Sequence, residues 1–240
     1  KQDEICEILT EDNKVTGVVT RLGNRYNAKA VIIAGGTYLN GTIHVGDCSY
    51  AGGPDNVMPA IHLTESLKKI GVELRRFKTG TPARVHKRSI NFDLLERQEG
   101  DEKITAFAFD NQDELKNTVS CYIAYTNDET HKVIRENIHR SPMYSGRIEG
   151  VGPRYCPSIE DKLVRFADKE RHQLFVEPMG SETEEMYIQG FSTSLPTDVQ
   201  VDMLHSLKGF ENAQIMRYAY AIEYDCADPT QMDATLAFKS

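Results

Sequence analysis

The chain has 240 residues, of which 40% are apolar, and this is enough for one large domain or two small ones. Its formal net charge of −8 argues against indiscriminate binding to nucleic acid. No run approaches the roughly 18–20 consecutive apolar residues that span a bilayer, and no signal peptide opens the sequence. We therefore expect a cytoplasmic enzyme without a membrane segment. Because the sequence starts without methionine in a strand-like region, we also expect an internal piece of a longer protein.

The five cysteines are scattered and odd in number, which does not fit a disulfide framework. They form no Cys-x-x-Cys pair and no His/Cys cluster with zinc-binding spacing. The sequence therefore predicts reduced thiols and no metal site.

In chain order, the first predicted elements are strands over 5–9 and 15–20 and a buried strand over 29–36. The third is β-branched and ends in Ala-Gly-Gly, as a sheet strand does where it meets a ligand or a crossing loop. A three-stranded meander that feeds such a strand is characteristic of flavin-dependent oxidoreductases. The next predicted elements are a strand, an amphipathic helix, a strand and a tight turn, over 42–45, 59–70, 72–77 and 79–82.

The second half of the chain alternates strands with helices, and a polar segment over 103–117 is predicted to be a loop. Such alternation predicts an α/β fold with a mixed sheet. The predicted helices lie over 128–138, 157–169 and 197–207, and the predicted strands over 120–126, 172–177, 186–190 and 213–224.

The segment 150–162 places a cysteine where a glycine-rich loop turns into a helix. Ser158 and Asp161 have the spacing of a helix N-cap and its reciprocal carboxylate, which puts Cys156 about two residues before the first turn. Free backbone N–H groups and the positive end of the helix dipole favour a thiolate or a bound anion there, and the charge of Arg154 acts in the same direction. The alternative is a buried structural cysteine beside an ordinary capped helix.

A run of six cations without an acid lies between residues 75 and 88, and we call it the 75–88 ridge. If the predicted turn at 79–82 exposes it, it forms a surface that contacts RNA phosphates. The alternative is a solvated strand face in an acidic protein. The predicted RNA contacts are Lys78, Arg84, Lys87 and Arg88.

The sequence resembles the GidA/MnmG family in phrases that follow the family's order over nearly the whole chain. They are GTYLNG (36–41), KTGTP (78–82), SPMY (141–144), the segment 148–162, STSLP (192–196) and YAIEYD (220–225).

This resemblance implies a particular domain organisation. An inserted mixed α/β domain (41–214), for NAD and substrate, would interrupt a glutathione-reductase-like FAD-binding domain (1–40 and 215–240). The Gly-x-Gly-x-x-Gly fingerprint that opens family members is not in this sequence, and neither is the family's helical tail.

The resemblance also implies an activity. Family members are flavin-dependent enzymes that add a carboxymethylaminomethyl-type group to C5 of the wobble uridine in certain tRNAs. They are homodimers that act with the GTPase MnmE, take a one-carbon unit from methylenetetrahydrofolate and regenerate reduced FAD with NADH.

Residues matched to the family's motifs take on its roles as expectations. Gly35, Gly36, Thr37 and Ala60 would contact FAD, with main-chain atoms alone at position 60. Cys156 would be catalytic, with Arg154 and Asp161 beside it. The segment presented to the nicotinamide nucleotide would include Gly152, Pro153, Arg154, Tyr155, Cys156, Pro157, Ser158, Lys162 and Phe166.

Two chemical roles for Cys156 stay open. Its thiolate would add to C6 of the uracil ring and make C5 nucleophilic. In the other role it would act as an acid, a base or a positioning group while the flavin delivers the one-carbon unit. Asp161 and Glu160 are candidate acids or bases, and their alternative role is to cap the helix.

Two functions of other classes also remain. One is a thiol-dependent hydrolase or transferase that pairs Cys156 with His131 or His172, although no nucleophile motif supports it. The other is a module that docks RNA or a protein partner and has no catalysis in isolation.

Overall fold

The computed structural model describes residues 1–111, 114–152 and 157–239. These residues form two compact units. Unit 1 contains the described residues of Lys1–Thr79, Gly146–Cys156 and Ala221–Ser240, and unit 2 contains those of Gly80–Ser145 and Pro157–Tyr220. The units do not divide at the predicted limits 40/41 and 214/215. The assignment of FAD-binding and inserted domains stays a prediction.

Strands and helices occur in both units, which confirms the α/β class. None of the helices in the described part of the chain is long and apolar enough to cross a membrane. The helices are α1 (Leu63–Lys69), α2 (Asp128–Asn137), α3 (Ile159–Arg165) and α4 (Thr197–His205). The strands are β1 (Ile5–Glu11), β2 (Lys14–Thr20), β3 (Arg25–Asn27), β4 (Thr42–Val45), β5 (Cys48–Ala51), β6 (Leu74–Thr81), β7 (Arg84–His86), β8 (Glu96–Gln98), β9 (Cys121–Tyr125), β10 (Gln173–Pro178), β11 (Glu185–Gln189), β12 (Ile215–Arg217) and β13 (Tyr220–Ala227).

Unit 1 contains two sheets. The first is an antiparallel meander in the order β1-β2-β3, which confirms the predicted opening strands. Asp12 and Asn13 form its first turn with φ of 49° and 59°, a conformation that Asp and Asn adopt more readily than most residues. The second sheet has the order β5-β4-β13-β6. Helix α1 contacts β1, and Ile8 and Leu67 lie in their shared apolar core.

The predicted buried strand over 29–36 is wrong. Residues 31–35 form no strand, Gly36–Tyr38 is a 3-10 turn, and the side chain of Ile32 is 91% exposed. A β-branched run favours extended backbone, but a strand also needs a neighbour that takes its hydrogen bonds, and no described residue pairs with this run. The predicted helix over 59–70 starts late, at Leu63, because Ala60 is bridged to Leu39.

Unit 2 is built on a sheet in the order β12-β7-β11-β10-β9-β8, in which each neighbouring pair is antiparallel. The mixed sheet that we predicted is therefore antiparallel in this unit. Leu174 and Val176 alternate along β10 into a large apolar core that also holds Ile134 of α2 and Met203 of α4. The same core holds Ile159 and Leu163 of α3, the helix that follows the predicted catalytic cysteine in the sequence.

Candidate cofactor cavity and cysteine segment

Gly35 and Ala60, two of the predicted flavin contacts, line one cavity of unit 1 with a volume of about 540 Å³. Apolar side chains dominate its wall, among them Ile5, Ile33 and Leu63. The predicted contacts Gly36 and Thr37 follow directly in the 3-10 turn and do not line this cavity. The structure thus brings together two of the four predicted residues.

The main chain of Ala60 is already hydrogen-bonded within unit 1. Its N–H donates to the carbonyl of Tyr38, and its carbonyl accepts from the N–H of Asn40, each at 2.9 Å. A ligand can therefore use only the second lone pair of the Ala60 carbonyl. The prediction of a main-chain contact at position 60 is narrowed to that one acceptor.

A buried carboxylate, Asp225, holds the GTYLNG phrase in place. It accepts hydrogen bonds from Asn40 Nδ2 at 2.9 Å, Thr64 Oγ1 at 2.8 Å and Arg76 Nη1 at 3.0 Å. Arg76 also donates to the carbonyl of Asn40, whose φ is 50°. In the sequence, Asp225 is only one residue of the YAIEYD phrase, and nothing near it indicates a role. Its hydrogen-bond partners lie more than a hundred residues away.

Glu4 lies at the rim of the cavity and receives three hydrogen bonds through its Oε1 atom. The donors are the main-chain N–H groups of Ile61 and His62 and the His62 ring at 3.0 Å. Burial is the largest single influence and pushes the pKa of Glu4 upward, but the hydrogen bonds and charge of His62 and the hydrogen bond from Ile61 together outweigh it, so the pKa is lowered overall. Cys6 completes a cluster whose ligand atoms lie within 4.8 Å of one another, yet burial raises the pKa of its thiol, which disfavours metal-binding thiolate.

The segment that leads to the predicted catalytic cysteine, Gly146 to Gly152, is fixed within unit 1. Arg147 Nη1 donates to the carbonyl of Gly46 at 3.1 Å, at the turn between β4 and β5. The N–H groups of Glu149 and Gly150 donate to the buried carboxylate of Glu223 on β13. The next residue, Val151, forms a parallel bridge with Phe77 on β6.

Pro153, Arg154, Tyr155 and Cys156 lie outside the described residues. The predicted catalytic roles of Cys156 and Arg154, and the predicted nicotinamide contacts among these four, therefore stay predictions.

The helix after the cysteine is capped as the sequence predicts. Asp161 N–H donates to Ser158 Oγ, and Ser158 N–H donates to Asp161 Oδ2, each at 3.3 Å. Ile159 N–H donates to the carbonyl of Ser192, and Lys162 Nζ donates to the carbonyl of Gly190. These two hydrogen bonds hold α3 against the rest of unit 2. The capping box is confirmed.

Asp161, a predicted catalytic residue, has a structural task at this position. Besides the cap, it accepts a hydrogen bond from the hydroxyl of Tyr144 at 3.2 Å. Burial and then the charge of Asp161 raise the pKa of Tyr144 to about 12. The predicted catalytic role of Asp161 stays a prediction. At the other end of α3, the predicted contact Phe166 is exposed and lies under Lys169 Nζ at 5.4 Å.

Glu160, the neighbouring candidate, is buried. It accepts from Thr193 Oγ1 at 2.7 Å and lies 3.4 Å from the N–H of Ser194. Through these hydrogen bonds Glu160 fixes the position of the STSLP phrase.

The 75–88 ridge is not the exposed surface that we predicted. Strand β6 runs through the predicted turn to Thr81, and the side chain of Lys78 is only 2% exposed. Arg84 is 7% exposed, donates to Thr81 Oγ1 and the carbonyl of Pro82, and stacks 5.1 Å from the Tyr187 ring. Strand geometry turns these cations inward, which the letter sequence does not show.

The other ridge cations are exposed or paired. Lys87 and Arg88 are exposed, and Arg88 pairs with Glu184 at 3.1 Å. Arg75 and Arg76 pair with Asp228 and Asp225. The RNA-binding prediction therefore retains Lys87 and Arg88 as accessible cations.

The histidines considered as partners of a thiol nucleophile contact each other in unit 2. The rings of His131 and His172 lie 5.8 Å apart, and His131 Nε2 is 2.8 Å from Thr126 Oγ1. Burial lowers the pKa of both. They therefore have a structural setting in the interior of unit 2.

Comparison with known proteins follows the same motifs. The family model described as glucose inhibited division protein A matches residues 1–240. A protein of Caldicellulosiruptor saccharolyticus named tRNA uridine 5-carboxymethylaminomethyl modification enzyme MnmG is 60% identical over 239 residues. Its namesake from Clostridium botulinum is 57% identical over 240 residues. Each match covers 100% of this chain and 38% of the relative.

Solved structures agree with the sequence comparison. Aquifex aeolicus GidA in its form II crystal has a TM-score of 0.91 and 44% identity over 100% of this chain and 39% of that chain. The form I crystal gives a TM-score of 0.92 and 47% identity over 100% of this chain and 41% of that chain. The chain thus spans less than half the length of the relatives that it matches.

Proposed function

Because the chain belongs to the family of glucose inhibited division protein A, we propose that the whole protein is a flavin-dependent enzyme that modifies uridine in tRNA. It adds a carboxymethylaminomethyl-type group to C5 of the wobble uridine. The observation that carries this proposal is the match of the full chain to a relative named for this modification at 60% identity. The phrases that led to the family lie at the cavity and beside the cysteine segment, which supports the same reaction.

We propose that FAD binds in the cavity lined by Gly35 and Ala60. Gly35 presents main chain without a side chain, which permits the close approach of a flat ring, and the apolar wall suits its uncharged face. FAD supplies the redox chemistry of the reaction when it is bound. Asp225 orients this edge by accepting a hydrogen bond from the side-chain amide of Asn40, two residues beyond the 3-10 turn.

We propose Cys156 as the reacting thiol. The N-cap of α3 follows two residues after it in the sequence, so the positive end of the helix dipole and the neighbouring charge of Arg154 favour its thiolate. Addition of the thiolate at C6 of uracil would place an electron pair on C5. C5 would then form the new bond to the one-carbon unit. Loss of the C5 proton and of the thiolate restores the ring and the cysteine. The acid, base or positioning role remains the alternative.

The remaining elements of the proposal follow from the family alone. They are NADH at the segment 152–166, methylenetetrahydrofolate as carbon donor, a GTPase partner of the MnmE type, a homodimer, and tRNA as substrate in the cytoplasm. Lys87 and Arg88 are the cations of the 75–88 ridge that we assign to tRNA.

The test uses the protein at the full length of its relatives. Purified protein is incubated with unmodified tRNA, the GTPase partner with GTP, the one-carbon donor, NADH and, in separate reactions, glycine or ammonium as the nitrogen donor, and the wobble nucleoside is analysed by mass spectrometry. We expect a yellow protein and a C5-substituted uridine that forms only with FAD. A colourless protein that binds tRNA without changing the nucleoside would support the docking module instead.

A further inference from the structure

The main chain of residues 149–151 is held by two neighbouring strands of unit 1, and we call this arrangement the clamp. Val151 pairs with β6, where its N–H donates to the carbonyl of Arg76 and its carbonyl accepts from Lys78 N–H, at 3.2 and 3.1 Å. The two residues before it are bound by Glu223 on β13, the strand next to β6 in the sheet. The clamp ends five residues before Cys156 in the sequence.

Glu223 uses both of its carboxylate oxygens in this clamp. Oε1 accepts the N–H of Glu149 at 2.9 Å and also the N–H of Gly150. Oε2 lies 3.2 Å from Nε2 of His44 on β4, whose Nδ1 is 2.8 Å from Ser49 Oγ on β5. Glu223 and His44 are both buried. A buried carboxylate is stable only where such donors surround it, so this arrangement is specific rather than incidental.

The fit around Gly150 shows how closely the segment is held. A side-chain carbon at position 150 would lie 2.9 Å from the carbonyl carbon of Phe77 and 3.0 Å from Glu223 Oε1. The first distance is shorter than real side-chain contacts show, the second is tighter than most of them, and the first neighbour is main chain that cannot easily move aside. The segment therefore passes between β6 and Glu223 through a space that accepts glycine.

We infer that Glu223 is a positioning residue that fixes the main chain at 149–151 and through it affects Cys156, which follows five residues later in the sequence. Glu223 does not touch the reacting atoms and acts through the two N–H groups that it holds. This inference rests on the proposed function insofar as Cys156 is the reacting thiol. The clamp itself is observed independently of the reaction.

The test compares Glu223→Ala, Glu223→Gln and the control Glu7→Ala in the protein at the full length of its relatives. Glu7 is an exposed carboxylate of the same unit. Glutamine retains an oxygen for both N–H groups, and its amide NH2 can donate to His44 Nε2 when the ring carries its proton on Nδ1, whereas alanine offers neither group. We measure amide hydrogen exchange in the peptide that contains residues 149 and 150, and the rate at which iodoacetamide alkylates Cys156.

For Glu223→Ala we expect exchange at these amides to accelerate by about tenfold or more, because two buried donors lose their acceptor. The alkylation rate of Cys156 and kcat for tRNA modification should change with it, while bound FAD and KM for tRNA stay near wild type. Glu223→Gln should restore all of these values to within about threefold, and Glu7→Ala should change none of them. Gly150→Ala should reproduce the alanine effect with Glu223 intact.

Wild-type exchange and Cys156 reactivity in a folded Glu223→Ala protein would overturn the inference. If Glu223→Ala does not fold, Glu223→Asp and Gly150→Ala are measured instead. Unchanged amide exchange and an unchanged alkylation rate of Cys156 in both variants would also overturn the inference. If the wild-type enzyme does not modify tRNA but amide exchange at 149 and 150 still changes as expected in the variants, the proposed function is wrong. The role of Glu223 in fixing the main chain would still be supported.

Discussion

The two units are stabilised in different ways. Unit 2 has an extensive buried apolar core in which Leu174, Ile188 and Phe210 are fully excluded from solvent. The apolar core of unit 1 is much smaller, and buried polar groups such as Asp225 and Glu223 tie its segments together. Apolar packing tolerates small shifts, whereas a buried carboxylate needs each donor in place. Within the described residues, buried polar groups therefore form a larger share of the interior of unit 1 than of unit 2.

The largest expected effect is on the core of unit 2. Phe210→Ala removes a fully buried aromatic side chain and should lower the free energy of unfolding by about 3–5 kcal/mol. Phe109→Ala is the matched control, because Phe109 is fully exposed and its loss should change stability by less than about 0.5 kcal/mol. Urea titration measures both. Equal effects of the two variants would contradict an apolar core as the main support of unit 2.

The second effect tests the polar support of unit 1. Asp225→Ala leaves donors from Asn40, Thr64 and Arg76 without their acceptor and should cost about 2–4 kcal/mol. Asp168→Ala, at an exposed aspartate, is the control and should be near neutral. If thermal unfolding shifts equally little in both variants, the buried polar cluster does not stabilise unit 1.

A smaller effect should appear as a pH dependence. Burial lowers the pKa of His131 and His172 below the ordinary value of about 6.5, so as the pH falls the unfolded chain takes up protons that the folded chain does not. The stability from these neutral histidines is complete above pH 6.5 and is lost as the pH falls through their folded pKa values. Urea titrations between pH 7.5 and 5 should show a shallower decline in His172→Gln than in the wild type. A decline of the same slope would exclude His172 as a cause.

The smallest effect concerns the cations of the 75–88 ridge. Lys87→Gln and Arg88→Gln should each lower the slope of log affinity for tRNA against log salt by about one and leave thermal stability unchanged. Lys78→Gln and Arg84→Gln should instead reduce stability, because these side chains are buried. An unchanged salt slope at positions 87 and 88 would show that tRNA is bound elsewhere.

Local patterns in the sequence predicted local structure well. The capping box of Ser158 and Asp161 depends on residues three apart, and the structure contains it. The strand at 42–45 likewise has the predicted limits. In both cases, the residues that determine the structure are near neighbours in the chain.

Features that depend on distant residues were missed. The run at 29–36 has strand composition, but strand formation also requires a partner strand. Lys78 and Arg84 resemble surface cations in the sequence, but the structure buries both side chains among residues that are distant in the sequence. Glu223 holds main chain more than seventy residues away, and nothing local distinguishes it from any other glutamate in a strand.

The central claim is that this family member modifies uridine with Cys156 as the reacting thiol, and one substitution tests it most directly. Cys156→Ser in the protein at the full length of its relatives retains the size of the side chain but loses a thiol whose reference pKa is about 8.5. Cys48→Ser, at an exposed cysteine of unit 1, is the control. We expect Cys156→Ser to abolish wobble-uridine modification, measured by nucleoside mass spectrometry, with FAD content and melting temperature unchanged, and Cys48→Ser to be active. Near-normal modification by Cys156→Ser would contradict the account and make Cys156 a structural residue.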